Sequence, residues 1–193
     1  MITVAVDTSP GYDIHIGSGL LSGVGERISA CLPRAKTVAV ITDDTVRALH
    51  LEPVMQSLTR VGLGPCSFVI PPGEASKNGA MYLDILNWLA DAKLTRADCV
   101  LALGGGVVAD LAGFVAATYQ RGLPHILLPT TLPAMIASSA GGKTGIDLPS
   151  GKPLAGMVHP PALVVADTDT LKTLPEPVFA AGLAELIKLG VVA

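Results

Sequence analysis

The sequence predicts an α/β fold, a Rossmann-like and mostly parallel sheet flanked by helices. Short apolar strand patterns alternate with longer helical patterns along the 193 residues, and βαβ units produce this order. Half of the residues are hydrophobic but only 4% are aromatic, so the core must be built from Val, Leu, Ile and Ala. Strands that are buried on both faces of a sheet have this composition.

Strands are expected where β-branched and apolar residues cluster between turn signals. The first two flank the turn Ser9-Pro10-Gly11, and Thr37–Thr42 has the strongest pattern of a buried strand. The predicted strands are Thr3–Val6, Tyr12–Ile16, Thr37–Thr42, Cys66–Ile70, Cys99–Leu103, Ile126–Leu128 and Leu163–Ala166.

Helices are expected where apolar residues recur at helical spacing, as Leu83, Leu86 and Leu89 do. Asp43 could cap a short helix that ends near His50. The other predicted helices are Gly19–Ser29, Glu52–Val61, Asn78–Ala92, Val107–Tyr119 and Pro177–Val192.

One segment, Ser138–Pro161, is rich in Gly and Pro and is predicted to be a long irregular loop of the functional or mobile kind. A domain boundary is expected near Thr173–Pro177. Residues 1–174 would then form a nucleotide-binding α/β domain, and residues 175–193 would begin a truncated helical domain.

The charge balance excludes some function classes. The net charge of −3 does not indicate nucleic acid or an anionic membrane as a partner. The N-terminus lacks a signal-peptide pattern, and no apolar run reaches the ~18 residues of a membrane helix. Three widely spaced cysteines predict buried thiols without a disulfide framework.

A glycine turn, Gly104–Asp110 (GGGVVAD), follows a predicted strand and opens a predicted helix. Its G-x-G-x-x-A spacing would let the backbone approach a pyrophosphate at the helix N-terminus. A tight turn without any ligand is the alternative. The turn comes late in the chain and no acid ends the next strand, so several loops could hold the nucleotide instead of a standard Rossmann start. Asp43 and Thr45 are placed to meet a ribose.

Further polar residues follow the ends of other strands, where open α/β sheets bind ligands. Glu74 could accept a ribose hydroxyl and Lys77 could contact a phosphate, although a solvated turn is an equal alternative. Thr130 and Thr131 could bind a cofactor or merely cap a helix. Gly142-Lys143-Thr144 resembles the end of a P-loop, but Ala137 stands where the first glycine is required, so a P-loop NTPase is rejected.

Taken together, seven segments resemble 3-dehydroquinate synthase of the sugar-phosphate cyclase superfamily, in its N-terminal NAD-binding part. Their order and spacing extend over most of the chain. The segments are Pro72-Gly73-Glu74 with Lys77-Asn78, Gly104–Gly113, Ala117–Gly122, Pro129–Leu132, Ser138–Asp147, Asp169–Pro175 and Ala181–Lys188.

The resemblance implies a cytoplasmic lyase of the shikimate pathway to aromatic amino acids. Such enzymes convert 3-deoxy-D-arabino-heptulosonate 7-phosphate to 3-dehydroquinate and phosphate, with NAD and a divalent metal, zinc or cobalt. The family is commonly dimeric through this domain, so we expect a homodimer with a small sugar phosphate as its substrate.

Residue roles carry over from the family position by position. The implied catalytic lysines, which face the substrate, are Lys143, Lys152 and Lys188. The implied metal ligand is Glu185, although an ordinary surface ion pair of Glu185 with Lys188 is the alternative. The implied cofactor-binding residues are Asp43, Thr45, Glu74, Lys77, Gly105, Gly106, Asp110, Thr130, Thr131, Lys143, Lys152, Thr170, Leu171 and Thr173.

The sequence also departs from the family pattern. The family adds two metal-binding histidines from its C-terminal domain, and none of the four histidines here stands in that context. Ala137 replaces an aspartate and Pro153 an asparagine, and both lie in the substrate loop. We therefore expect the chain alone to be inactive. The alternatives are a non-catalytic NAD-binding module, a redesigned or variant domain, another sugar-phosphate cyclase, or an iron- or glycerol-type dehydrogenase.

Overall fold

The computed structural model describes residues 1–192 and confirms the predicted α/β fold. Seven strands form one sheet in the order β1-β2-β9-β6-β5-β3-β4, and two more form a separate hairpin. Only the β1–β2 pair of the large sheet is antiparallel. The strands are β1 (Ile2–Val6), β2 (Tyr12–Gly17), β3 (Thr37–Asp43), β4 (Gly64–Ile70), β5 (Cys99–Gly104), β6 (His125–Pro129), β7 (Lys143–Leu148), β8 (Gly151–Val158) and β9 (Leu163–Asp167).

Within residues 1–192 the chain also forms six α-helices, of which the last follows the final strand. They are α1 (Val24–Cys31), α2 (Asp44–Val46), α3 (Glu52–Arg60), α4 (Gly79–Asp91), α5 (Gly106–Thr118) and α6 (Glu176–Val192). A π-helical turn, Arg47–Leu51, joins α2 to α3, so one helical stretch fills the positions where two helices were predicted. Its start is capped as expected, because the Asp43 carboxylate accepts a hydrogen bond from the Val46 amide at 2.9 Å.

The core lies on both faces of the sheet because consecutive residues of the central strands are apolar, as in Val38–Ile41 of β3 and Val100–Leu103 of β5. Val38 and Leu101 point to the face that α1 and α3 cover, whereas Ala39 and Val100 point to the face of α4 and α5. The helix predicted from the spacing of Leu83, Leu86 and Leu89 is present as α4, but Leu83 is 56% exposed. α4 packs through Ile85 and Leu89 instead.

The prediction of an irregular segment at Ser138–Pro161 is wrong, because residues 143–158 form the β7–β8 hairpin. The glycines of this segment permit close packing. A Cβ atom on Gly156 would lie 2.2 Å from the Thr144 carbonyl oxygen, and one on Gly145 would lie 2.6 Å from the Ala155 carbonyl oxygen. One face of the hairpin packs on α5, where Gly113 leaves room for Thr144.

The last helix forms as predicted, but most of its side chains are exposed. Its buried contact is Gly182, which lies against Leu132. Ala193, the end of the predicted second domain, lies outside the described residues. No helix among residues 1–192 is both long and apolar enough to cross a membrane. The three cysteines are free, and Cys31 is exposed, contrary to the expectation that all are buried.

Candidate functional site

A cavity of about 540 Å³ opens at the carboxyl ends of the parallel strands. We call it the carboxyl-end cavity. Open α/β sheets bind ligands at this edge, in cavities of roughly 300–1,000 Å³. Its wall combines the segments that follow β3, β4, β5, β6 and β9. It is lined by Asp43, Thr45, Val46, Leu49, His50, Pro72, Gly73, Glu74, Gly105, Gly106, Val107, Val108, Thr130, Thr131, Pro133, Thr173, Leu174, Pro175 and Val178.

The predicted glycine turn forms one wall of this cavity. β5 ends at Gly104 and α5 begins at Gly106, so the motif is a strand–turn–helix junction as expected. Among the described residues no side chain caps α5 at Gly105, which leaves the first amides of the helix for a ligand. A Cβ atom on Gly105 would lie 3.2 Å from the Thr131 methyl group, so a side chain here would crowd the turn.

Two threonines follow β6 in the same wall. The Thr130 side chain is buried, with 4% exposure, and its hydroxyl has no hydrogen-bonding partner among the described residues. A buried hydroxyl without a partner is unfavourable and calls for an explanation. Thr131 accepts a hydrogen bond from the Ala134 amide at 3.3 Å. Among the described residues, the Thr130 hydroxyl is therefore unpaired in the wall of the carboxyl-end cavity, whereas the Thr131 hydroxyl caps the next turn.

His50 lies in the cavity wall, although the sequence predicted no role for it there. Its Nε2 atom is 3.0 Å from the Thr173 hydroxyl, so the contact joins the helical stretch after β3 to the turn after β9. Burial lowers the pKa of His50, and the Asp167 charge opposes this only in part. His50 is therefore biased toward its neutral form. The only feature of the sequence that could have indicated this position of His50 is its place at the end of the short helix that Asp43 was predicted to cap.

Beside the cavity lies a charge cluster, which consists of Glu74, Lys77, Asp110, Asp147 and Lys152. The Lys77 ammonium is 2.8 Å from Asp110 and 3.8 Å from Asp147. The Lys152 ammonium is 3.3 Å from Glu74 and 3.5 Å from Asp147. Glu74 belongs to both the cluster and the cavity wall. Two lysines thus face three carboxylates, and Asp147 was not among the predicted site residues.

Burial and charge act in opposite directions on the pKa values of this cluster. Burial alone lowers the pKa of Lys77, but the hydrogen bond and charge of Asp110, with the charges of Asp147 and Glu74, raise it above its usual value. Lys77 therefore keeps its positive charge. Burial raises the pKa of Asp110, and Lys77 counteracts that rise only in part.

The structure brings eight of the predicted cofactor residues together in the cavity wall. These are Asp43, Thr45, Glu74, Gly105, Gly106, Thr130, Thr131 and Thr173. Lys77, Asp110 and Lys152 lie beside them in the charge cluster. The roles of all these residues in binding stay predictions.

The remaining predicted residues lie elsewhere. Lys143 is exposed at the start of β7, and Leu171 lies in the turn after β9. The Thr170 hydroxyl donates to the Asp167 carbonyl at 2.8 Å, which stabilises that turn. Glu185 and Lys188 form an exposed ion pair on α6. Within residues 1–192, no group of three potential metal ligands is present.

A larger cavity, of about 730 Å³, lies at the β1–β2 edge of the sheet, beside α1. It is lined by Tyr12, His15, Arg27 and Cys31 among others, and none of the predicted site residues reaches it. The carboxyl-end cavity is the better candidate, because the strand ends, the free helix N-terminus and the Thr130 hydroxyl all converge there.

Comparison with known proteins identifies consistent relatives. A family model described as the N-terminal part of 3-dehydroquinate synthase matches residues 67–181. The 3-dehydroquinate synthase of a Ruegeria species is 49% identical over 93% of this chain and 48% of its own length. That of Symbiobacterium thermophilum is 46% identical over 94% of this chain and 51% of its own length. The chain thus spans about half the length of these relatives.

Solved structures show the same fold. A 2-deoxy-scyllo-inosose synthase complexed with carbaglucose-6-phosphate, NAD+ and Co2+ superposes with a TM-score of 0.88 at 25% identity, over 97% of this chain and 50% of the other. The 2-epi-5-epi-valiolone synthase of Streptomyces hygroscopicus, with NAD+ and Zn2+ bound, gives 0.82 at 29% identity, over 97% and 51%. An iron-containing alcohol dehydrogenase gives 0.76 at 15% identity, over 89% and 50%, and shares the fold alone.

Proposed function

The chain belongs to the 3-dehydroquinate synthase family, and on that basis we propose that it is the NAD-holding part of such an enzyme. The proposal extends to the cofactor-binding residues and to the reaction of the whole enzyme. The observation that carries it is the carboxyl-end cavity, which is lined by eight of the residues that are predicted to bind NAD. The buried Thr130 hydroxyl without a partner is the clearest indication that this cavity accepts a polar ligand.

The residues of the cavity suit a dinucleotide. Bound NAD would supply the hydride acceptor and donor of the reaction. Gly105 and Gly106 let the backbone approach a pyrophosphate, and the free amides of α5 favour its negative charge. Asp43 and Glu74 offer carboxylate oxygens to ribose hydroxyls, while Thr130 offers its hydroxyl.

The substrate would meet the lysines of the hairpin. Lys143 begins β7 and Lys152 lies in β8, so both are carried by an element that packs on α5 beside the cavity. We propose that they contact the sugar phosphate, with Lys188 from α6 as a third cation. The whole enzyme would convert 3-deoxy-D-arabino-heptulosonate 7-phosphate to 3-dehydroquinate and phosphate, in the shikimate pathway.

Unlike the cofactor, a divalent metal has no complete set of ligands among the described residues. Glu185 is paired with Lys188, and no second or third ligand stands near it among residues 1–192. A single carboxylate does not make a zinc site, which takes three or four protein ligands. Glu185 could serve as a metal ligand only together with ligands from outside residues 1–192.

Residues 1–174 would form the NAD-binding domain and residues 175–193 the start of a helical domain. The remainder of that domain would be the first partner of this chain, and we propose a cytoplasmic homodimer as its assembly. The family relatives, which are about twice as long, support a further domain. The exposed apolar side chains of α6 support a covering partner.

Titration of NAD into the purified chain, followed by calorimetry, tests cofactor binding. We expect saturable binding of one NAD per chain, and a chain that binds none would contradict the proposal. Adding the C-terminal half of a relative in trans and assaying phosphate release from the heptulosonate phosphate tests the reaction. Binding of NAD without phosphate release under any metal condition would favour a non-catalytic module.

Another sugar-phosphate cyclase is the second candidate, because two solved cyclases superpose with TM-scores of 0.88 and 0.82. Sequence identity favours 3-dehydroquinate synthase, at 49% against 25% and 29%. Product analysis with the reconstituted enzyme separates the two, because only a 3-dehydroquinate synthase forms 3-dehydroquinate from the heptulosonate phosphate.

A further inference from the structure

We propose that Asp147 is a positioning residue of this site, which holds the ammonium groups of Lys77 and Lys152 beside the carboxyl-end cavity. The inference deepens the proposed function and rests on it for its consequence in ligand binding. Lys77 follows β4 and Lys152 lies in β8, so the two lysines come from segments that are far apart in sequence. Asp147 is the one carboxylate that lies within ion-pair distance of both among the described residues.

The backbone directs Asp147 toward Lys77. The pairing of β7 with β8 is regular as far as Ile146 and shifts register before Leu148, so an irregularity of the bulge type falls at Asp147. Bulges re-aim side chains and are common next to active sites. The Asp147 amide also leaves the hairpin ladder and donates to the Lys77 carbonyl at 2.8 Å. The hairpin is therefore attached to the loop after β4 at this residue.

The carboxylate of Asp147 spans the two lysines with its two oxygens. Oδ1 is 3.8 Å from the Lys77 ammonium, and Oδ2 is 3.5 Å from the Lys152 ammonium. The side chain is 14% exposed, so water screens these charges less than it screens a surface ion pair. Lys77 is anchored separately by Asp110 and Lys152 by Glu74. Asp147 is thus the link that joins two ion pairs into one cluster.

This arrangement is costly for folding, which indicates a role in the site. Oδ1 of Asp147 is buried and accepts no hydrogen bond among the described residues. Both ion-pair distances exceed hydrogen-bond length, and a buried acceptor without a partner is unfavourable. A contact selected for stability alone would satisfy that oxygen. A carboxylate held at longer range keeps each lysine oriented and still lets its ammonium turn toward an anionic ligand.

The first test measures lysine reactivity and requires no ligand. Asp147→Asn keeps the size of the side chain and removes its charge. We expect Lys77 and Lys152 to be acetylated about threefold faster in this variant at pH 8, because their ammonium groups lose a carboxylate. Lys143 serves as the internal control, since it is on the same hairpin and has no ion pair among the described residues. Unchanged rates at Lys77 and Lys152 would overturn the proposal.

The second test measures NAD affinity by calorimetry. We expect Asp147→Asn to bind NAD about fivefold more weakly, which corresponds to a loss of about 1 kcal/mol, with a midpoint of thermal unfolding close to that of the unaltered chain. Asp147→Glu should restore part of the affinity, which a merely structural role would not predict. Glu26→Gln is the matched control, because it neutralises one partner of the 3.4 Å Glu26–Arg60 ion pair, and neither partner lines the cavity.

The outcomes separate this inference from the proposed function. If the unaltered chain binds NAD and Asp147→Asn binds it equally well, the positioning role is overturned while the proposed function stands. If the unaltered chain binds no NAD, the proposed function fails, and the lysine reactivities alone decide whether Asp147 holds Lys77 and Lys152.

Discussion

Thr130 and Thr42 offer a matched pair of residues for testing what the cavity binds. Both hydroxyls are buried without a partner among the described residues, but only Thr130 lines the carboxyl-end cavity. We expect Thr130→Val to weaken NAD binding about fivefold to tenfold, because one hydrogen bond of about 1–1.5 kcal/mol is lost. Thr42→Val should leave the affinity unchanged. Calorimetry on both variants checks this, and equal affinities would remove Thr130 from the site.

At the same scale, His125 makes the folded chain sensitive to acid. Burial, followed by the charge of His159, lowers the pKa of His125 from 6.5 to about 3, and the two rings stack with centroids 5.2 Å apart. The folded state keeps His125 neutral, whereas the unfolded chain binds a proton below about pH 6.5. The contribution of neutral His125 to the free energy of unfolding is thus present above pH 6.5 and is lost as the pH falls toward 3.

We therefore expect the free energy of unfolding to fall by up to about 1.4 kcal/mol per pH unit below pH 6.5. Urea unfolding at pH 7 and pH 5 measures the effect. His125→Phe, which cannot be protonated, should show a smaller loss over this interval. If the two proteins lose the same stability between these pH values, His125 is not the group responsible.

At the scale of elements, the β7–β8 hairpin depends on a glycine in α5. A Cβ atom on Gly113 would lie 2.4 Å from the Thr144 methyl group. We expect Gly113→Ala to destabilise the fold by about 1–3 kcal/mol, because overpacking forces the hairpin and α5 apart. Urea unfolding measures the loss, and Gly190→Ala is the control, since nothing lies within 4 Å of that position.

A second substitution distinguishes this clash from a general effect on α5. Thr144→Ser removes the methyl group and keeps the hydroxyl that donates to the Met157 carbonyl at 2.7 Å. In the Gly113→Ala background it should restore part of the stability, which a double-mutant cycle quantifies. Additive effects of the two substitutions would show that the hairpin does not rest on α5 at this point.

At the scale of the whole molecule, α6 presents an uncovered apolar surface. Leu186 is 51% exposed and Ile187 is 66% exposed, and exposed patches of this kind mark interaction sites. We expect the chain to self-associate as its concentration rises, which sedimentation velocity can follow. The pair Leu186→Glu and Ile187→Glu should reduce association without changing NAD affinity, because neither residue lines the cavity. A monomer at high concentration in the unaltered chain would contradict this prediction.

Local patterns in the sequence determined the seven strands of the large sheet, the order of the helices and the edge at which the site lies. The Asp43 cap, the strand–turn–helix at Gly104–Gly106 and the buried strand around Val40 depend on neighbouring residues, so their chemistry can be recognised along the chain. Parallel strands also place their following loops at one edge of the sheet. This is why residues as distant as Asp43 and Thr130 could be predicted to share a site, whereas Thr173 was implied only by the family resemblance.

The tertiary structure alone decided what the glycines of the hairpin do and which charges meet. Gly145 and Gly156 belong to a segment whose Gly and Pro content is typical of a loop. They lie in strands instead, where each packs closely against backbone atoms of the opposite strand. The His50–Thr173 contact joins residues 123 positions apart, and Asp147 joins segments on two separate elements. Such contacts depend on how the elements pack in three dimensions. Local periodicity and composition do not indicate which residues far apart in the sequence will meet.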